Sequence, residues 1–143
     1  MIYIVNGPNL NLLGTREQNI YGTQTLADIS SELEKIAIKN NITIEFFQSN
    51  SEGNIIDFLQ SLPKFSNIIF NPGGLAHTSV VLRDCIAAME HKVVEVHLSN
   101  IFAREEFRHH SFISPVACGL ICGLGSKGYE LALKWFIERE QQQ

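Results

Sequence analysis

No run of apolar residues in this 143-residue chain approaches the ~18 that a membrane-spanning helix needs. Cysteine is scarce. Cys85, Cys118 and Cys122 are odd in number and form no CxxC pair, so a disulfide framework is not expected. The first basic residue is Arg16, so the N-terminus lacks the charged start of a secretory leader, and a soluble, cytoplasmic protein is expected. Basic residues number 11 against 15 acidic ones, and the net charge of −4 argues against binding nucleic acid through its phosphates. No two histidines stand in an H-x-H or H-x-x-x-H arrangement, and no metal site is expected. A G-x-S-x-G elbow and a P-loop are both missing.

What is present suits a globular enzyme-sized unit. Hydrophobic residues make up 45% of the chain and charged residues 18%, which excludes wholesale disorder. Area scaling gives roughly 7,400 Å² exposed when folded against about 23,000 Å² unfolded, enough burial for a core without disulfides or metal. One domain over residues 1–143 is expected.

The pattern alternates strands with helices. Ile2–Asn6 is a β-branched and aromatic run stopped by Gly7-Pro8. Residues 7–24 carry no helical period and read as one long loop, the kind that often forms a lid or binding segment. Thr25 with Asp28 predicts a helix start, and Leu26, Ile29, Leu33, Ile36 and Ala37 predict a helix over 26–39. Ile42, Ile44 and Phe46 alternate as a second strand, and Asn54–Leu62 reads as a short helix. Asn67–Asn71 is a third strand, Val93–His97 a fourth and Gly119–Leu124 a fifth, its glycines notwithstanding. A last helix covers 127–139, and Arg104–His110 holds a helical turn. Ser79–Met89 is apolar nearly all round, so it predicts a helix covered on two sides, one of them available to another subunit.

Such alternation implies an open parallel sheet covered on both faces, with ligands beyond the carboxyl ends of its strands. The segments after strands one, three and four therefore draw attention. After the first come Asn9, Asn11, Arg16 and Tyr21. An unperturbed phenol is only about 0.1% ionised at pH 7, so its use as a base costs roughly 4 kcal/mol, part of which a neighbouring guanidinium offsets. Spacing alone leaves open a packed Tyr21 ring and a solvated Arg16. His97 ends the fourth strand with Glu95 two residues back on the same side, a pairing suited to proton transfer or simply to a buried structural pair. Asn71 through Thr78 lead into the apolar helix and offer backbone N–H groups to an anion. Arg104, Arg108, His109 and His110 read as a solvated basic patch or equally as a clamp for an oxygen-rich anion. Cys118 and Cys122 flank an apolar segment and read as buried, inert thiols. A phosphoryl-accepting receiver and a flavodoxin are both disfavoured: the first lacks its acidic residues and the second its hydroxyl-rich loop.

Several blocks in fixed order then identify a resemblance spanning the whole chain. Asn6-Gly7-Pro8-Asn9-Leu10-Asn11-Leu12-Leu13-Gly14 with Arg16 and Tyr21-Gly22, Gln48-Ser49-Asn50 with Glu52-Gly53, and Asn71-Pro72-Gly73 are the first. His77-Thr78-Ser79, Leu82-Arg83-Asp84, Glu95 through Asn100, Arg104, Glu105, Phe107-Arg108, Ser111 and Gly123-Leu124-Gly125 with Gly128-Tyr129 complete them. The sequence resembles the type II 3-dehydroquinate dehydratases. It departs at Leu75-Ala76, where that family usually has an aromatic and then a hydroxyl residue.

The resemblance implies an α/β, flavodoxin-like, doubly wound five-stranded parallel sheet of order 2-1-3-4-5. It implies cofactor-free anti elimination of water from 3-dehydroquinate, through an enolate, to 3-dehydroshikimate. Tyr21 is implied as the base at C2, assisted by Arg16, with Asn9 holding the water that stabilises the enolate and His97 as the acid. Asn71, Leu98 and Ser99 are implied to receive the carboxylate and C1 hydroxyl region, and His77 and Arg108 the ring hydroxyls. Asp84 is implied to reach the site of an adjacent subunit, in trimers packed into a dodecamer. Both aromatic biosynthesis and quinate breakdown remain open as its setting. A catalytically silent flavodoxin-like binder of small hydroxy acids is the alternative, and retention of Arg16, Tyr21 and His97 together argues against it.

Overall fold

The computed structural model describes residues 1–143. Five parallel strands form one sheet: β1 (Ile2–Asn6), β2 (Ile44–Gln48), β3 (Asn67–Asn71), β4 (Lys92–His97) and β5 (Gly119–Cys122). Their order across the sheet is β2-β1-β3-β4-β5, as expected for a doubly wound fold. The helices are α1 (Gln18–Tyr21), α2 (Leu26–Lys39), α3 (Glu52–Ser61), α4 (Val80–Met89) and α5 (Lys127–Gln141).

Alternation along the strands divides the core in two. Ile2, Ile4, Ile69, Val94 and Val96 point to one face, where Ile29 and Leu33 of α2 and Tyr129, Leu133 and Phe136 of α5 cover them. Val5, Ile68, Phe70 and Val93 point to the other, against Ile55 and Leu59 of α3 and Leu82 and Ile86 of α4. Each such side chain contributes roughly 1.5–3 kcal/mol by leaving water, so the strand register is strongly specified. Glu95 and His97 lie on the α3/α4 face by the same alternation. The folded chain exposes 7235 Å², close to the area expected from its mass.

The first helix boundary shows how local chemistry sets an element. Thr25 accepts from the Asp28 N–H while the Asp28 carboxylate accepts from the Thr25 N–H, a reciprocal capping box that starts α2 at the expected residue. Elsewhere the structure differs from the sequence reading. The long 7–24 loop contains a 3-10 turn at Leu10–Leu12 and one turn of α-helix, α1, closed by Gly22 at φ 77°. The second strand begins at Ile44 rather than Ile42, because Ile42 closes the end of α2 through Ala37 O and pairing with β1 starts at Ile44. Cys118 is exposed and Cys122 half-buried, because β5 is the edge strand and has no neighbour beyond it. The second apolar face of α4 is open: Leu82, Cys85 and Ile86 are buried, but Val80 and Val81 are half exposed with no element of this chain over them. Leu75 and Ala76 pack into the α3/α4 core instead of the cavity described below, so the departure at these positions changes the support of a turn.

The carboxyl ends of β1 and β3 lie side by side, and their loops touch. A Cβ on Gly7 would collide with the Pro72 carbonyl, and one on Gly73, whose φ is 59°, would sit 3.0 Å from Pro8 O. Behind them Tyr129 of α5, wholly buried, donates to Asn6 Oδ1 (2.5 Å) and accepts from Asn71 Nδ2 (2.9 Å). Burial pushes this phenol far up, so it stays an O–H donor locking both strand ends. No helix is long and apolar enough to cross a membrane.

Candidate active site

One cavity opens beyond the carboxyl ends of β1, β3 and β4. Asn9, Arg16, Tyr21, Asn71, His77, His97, Leu98, Ser99 and Arg108 all line it, together with Arg104 and the apolar walls of Leu10, Leu13 and Ile101. Three of the chain's five arginines meet here, and no carboxylate or lysine lines the cavity. In a chain of negative net charge this concentrates cationic donors on one small space, which suits an anionic ligand.

The loop after β1 is braced from β2. Asn9 adopts a left-handed conformation (φ 72°), tolerated by asparagine, and its N–H donates to Asn50 Oδ1 at 3.0 Å. Gln48 Nε2 donates to Gly7 O and to Asn50 Oδ1, both at 3.2 Å. The Gln48-Ser49-Asn50 block therefore shapes the site without lining it. On the β3 side, Asn71 Oδ1 accepts from the Gly73 N–H and its amide nitrogen donates to Tyr129, so the side chain enters the site pre-oriented.

Tyr21 sits on α1, its ring packed against the α2/α5 core. Two guanidiniums attend it. Arg104 Nη1 donates to the phenolic oxygen at 2.6 Å, and Arg16 stands 5.1 Å from the ring centroid. Arg104 also donates to Ser99 Oγ at 3.3 Å. Its side chain is only 13% exposed, so of the two readings of this residue, solvated patch or anion clamp, the solvated one fails. Arg104 is the functional residue that sequence reasoning undervalued. Its signals were its position after β4 and its place in the family blocks; its contact with Tyr21 had none, since 83 residues separate the two. Glu17 partners Arg16 at 3.0 Å and lies 4.0 Å from Arg104, tying the two cations together.

The imidazoles are oriented from behind. His97 Nε2 meets Glu95 Oε2 at 2.5 Å, leaving Nδ1 as the nitrogen available to a ligand. Glu95 has no exposed surface, and burial pushes its carboxyl up. Hydrogen bonds from His97, Ser114 and Ser111 nevertheless hold it below the usual carboxylate range, so it is an anion. His77 Nδ1–H donates to His110 O at 2.8 Å, which presents Nε2 as an acceptor. Burial, with the charges of His97 and Arg108, keeps His77 below the ordinary imidazole value despite that bond. The two rings stack with centroids 5.9 Å apart.

Asp84 stands apart. It lies on α4, 64% exposed, paired with Arg83 at 3.3 Å, and does not line the cavity of its own chain.

This arrangement offers a phenol held by cations, an imidazole backed by a carboxylate, and donors for an anion. Together they can remove a proton from carbon and deliver one to a leaving oxygen.

The chain matches known proteins over nearly its whole length. Residues 1–137 match the family model described as dehydroquinase class II. The chain is 52% identical over 139 residues to 3-dehydroquinate dehydratase 2 of Pseudomonas aeruginosa, covering 96% of this chain and 94% of that one. It is 49% identical over 138 residues to 3-dehydroquinate dehydratase of Bacillus subtilis, covering 96% and 93%. Among solved structures, the type II dehydroquinase of Butyrivibrio crossotus superposes with a TM-score of 0.91 at 43% identity, covering 96% of each chain.

Proposed function

The chain belongs to the class II dehydroquinase family, and from that membership we infer how its cavity carries out the reaction for which its relatives are named. The activity is that of a hydro-lyase, converting 3-dehydroquinate to 3-dehydroshikimate in the shikimate pathway. The observation that carries the mechanism is the Tyr21 hydroxyl held by Arg104, in a cavity shared with an imidazole backed by Glu95.

Tyr21, as phenolate, takes the proton from C2, and the electrons of that C–H bond move into the ketone to form an enolate. Arg104 donates to the phenolic oxygen and Arg16 stands over the ring, so the phenolate forms beside two cations. Asn9 holds a water against the enolate oxygen. As the enolate collapses, the C1–O bond breaks and His97 protonates the departing hydroxyl, so that water leaves and a conjugated enone remains. Asn71, Leu98 and Ser99 receive the carboxylate and C1 hydroxyl region, and His77 and Arg108 the ring hydroxyls. No cofactor takes part. Residues 1–143 act as one catalytic domain in the cytoplasm. Asp84 completes the site of an adjacent chain within trimers that pack into a dodecamer. Its exposure on α4 and the open apolar face of that helix support this.

An imine route through a lysine would reach the same product. Purified protein given 3-dehydroquinate is expected to produce the ultraviolet absorbance of the enone, and borohydride added with substrate is expected to leave activity and intact mass unchanged. A lysine adduct in the mass spectrum would overturn the enolate route. Binding without any enone would mean a silent binder.

A further inference from the structure

Glu95 is a buried carboxylate held by three side-chain donors spread over both its oxygens. His97 Nε2 meets Oε2, and Ser114 Oγ donates to Oε1 at 2.6 Å. Ser111 Oγ shares its hydrogen between Oε1 (3.1 Å) and Oε2 (2.9 Å). The direction of the Ser111 hydroxyl is forced. Its oxygen accepts from the Ile113 and Ser114 N–H groups, at 3.1 and 3.2 Å, which occupies both lone pairs and commits the O–H to Glu95. Ser114 Oγ makes no other hydrogen bond.

We propose that Ser111 and Ser114 are positioning residues for the elimination: they keep Glu95 ionised and aimed at His97, and so govern the protonation of the acid group. This rests on the reading of His97 as that acid. A buried carboxylate left with one donor takes up a proton far more readily, because water cannot replace the missing hydrogen bonds. A neutral Glu95 no longer stabilises an imidazolium at His97. The same segment after β4 also carries Arg108 and the His110 carbonyl that orients His77, so one loop sets both imidazoles. The other groups around the pair are few. His77 stacks on His97 from the turn after β3, Arg108 lines the shared cavity, and Cys122 of β5 lies opposite His97. Phe70 of β3 and Leu120 of β5, the strand neighbours of Glu95, do not ionise.

The test follows Glu95 by carbon NMR of protein labelled at the glutamate carboxyl, with the signal assigned by Glu95→Gln. In the double variant Ser111→Ala/Ser114→Ala the Glu95 midpoint is expected to rise by about one pH unit or more, since each lost bond to a charged group is worth that much. The acidic limb of kcat/KM should rise with it, and Ser114→Thr, which keeps the hydroxyl, should behave as the parent. If the double variant does not fold, Ser114→Ala decides alone, because the one hydrogen bond of its hydroxyl is to Glu95. A lower melting temperature with an unmoved Glu95 midpoint would overturn the proposal. A midpoint that moves while the kinetic limb stays put would support the serines' hold on Glu95 and instead refute His97 as the acid.

Discussion

Replacing Tyr21 with phenylalanine is expected to lower turnover by about a thousandfold or more while changing the Michaelis constant by less than about tenfold. The substitution removes one oxygen. The ring keeps its packing on the α2/α5 core and its contacts with the Arg16 and Arg104 guanidiniums, 5.1 and 5.4 Å from its centroid. Substrate binding, which draws on the arginines, the asparagines and Ser99, is therefore preserved, and only proton removal is lost. Steady-state kinetics at the enone wavelength measures both constants. Substantial turnover in Tyr21→Phe would remove the tyrosine from the base role and reopen the cavity to another base.

The second large effect is at His97. His97→Gln is expected to lower turnover by roughly a hundredfold to ten-thousandfold, the range a general acid supplies, with the fold retained. Glutamine is preferred to alanine because its amide can still donate to buried Glu95. Alanine would strip that carboxylate of a partner and cost about 1–3 kcal/mol for reasons unrelated to catalysis. Thermal denaturation beside kinetics separates the two effects. A variant that melts like the parent and turns over like the parent would exclude His97 as the acid.

How far the sequence foretold these residues depended on the range of the interactions involved. β1, β3 and α2 are legible to the residue, because β-branched runs, glycine-proline stops and a capping box act over a few positions. The Glu95–His97 pair was legible too, since strand alternation alone puts residues two apart on one side. The start of β2 was not, because it is set by pairing with β1, some forty residues away. Arg104 was hidden for the same reason. A charged residue in a polar stretch reads equally as solvated or as an anion clamp until α1 brings Tyr21 to its guanidinium. The open face of α4 is a different case. Its apolar pattern predicts two coverings, and a single chain supplies only one.

The central claim is a division of labour: Tyr21 removes the C2 proton to form an enolate, and His97 acts afterwards on the leaving hydroxyl. The most direct measurement is deuterium uptake at C2 of unreacted 3-dehydroquinate incubated in heavy water with each variant, followed by proton NMR against the uncatalysed exchange. With His97→Gln the enolate forms but cannot readily lose hydroxide, so recovered substrate should gain deuterium at C2 faster than the background. With Tyr21→Phe uptake should stay at the background rate. Uptake with Tyr21→Phe as fast as with His97→Gln would contradict the account, because the proton would then be leaving without the tyrosine.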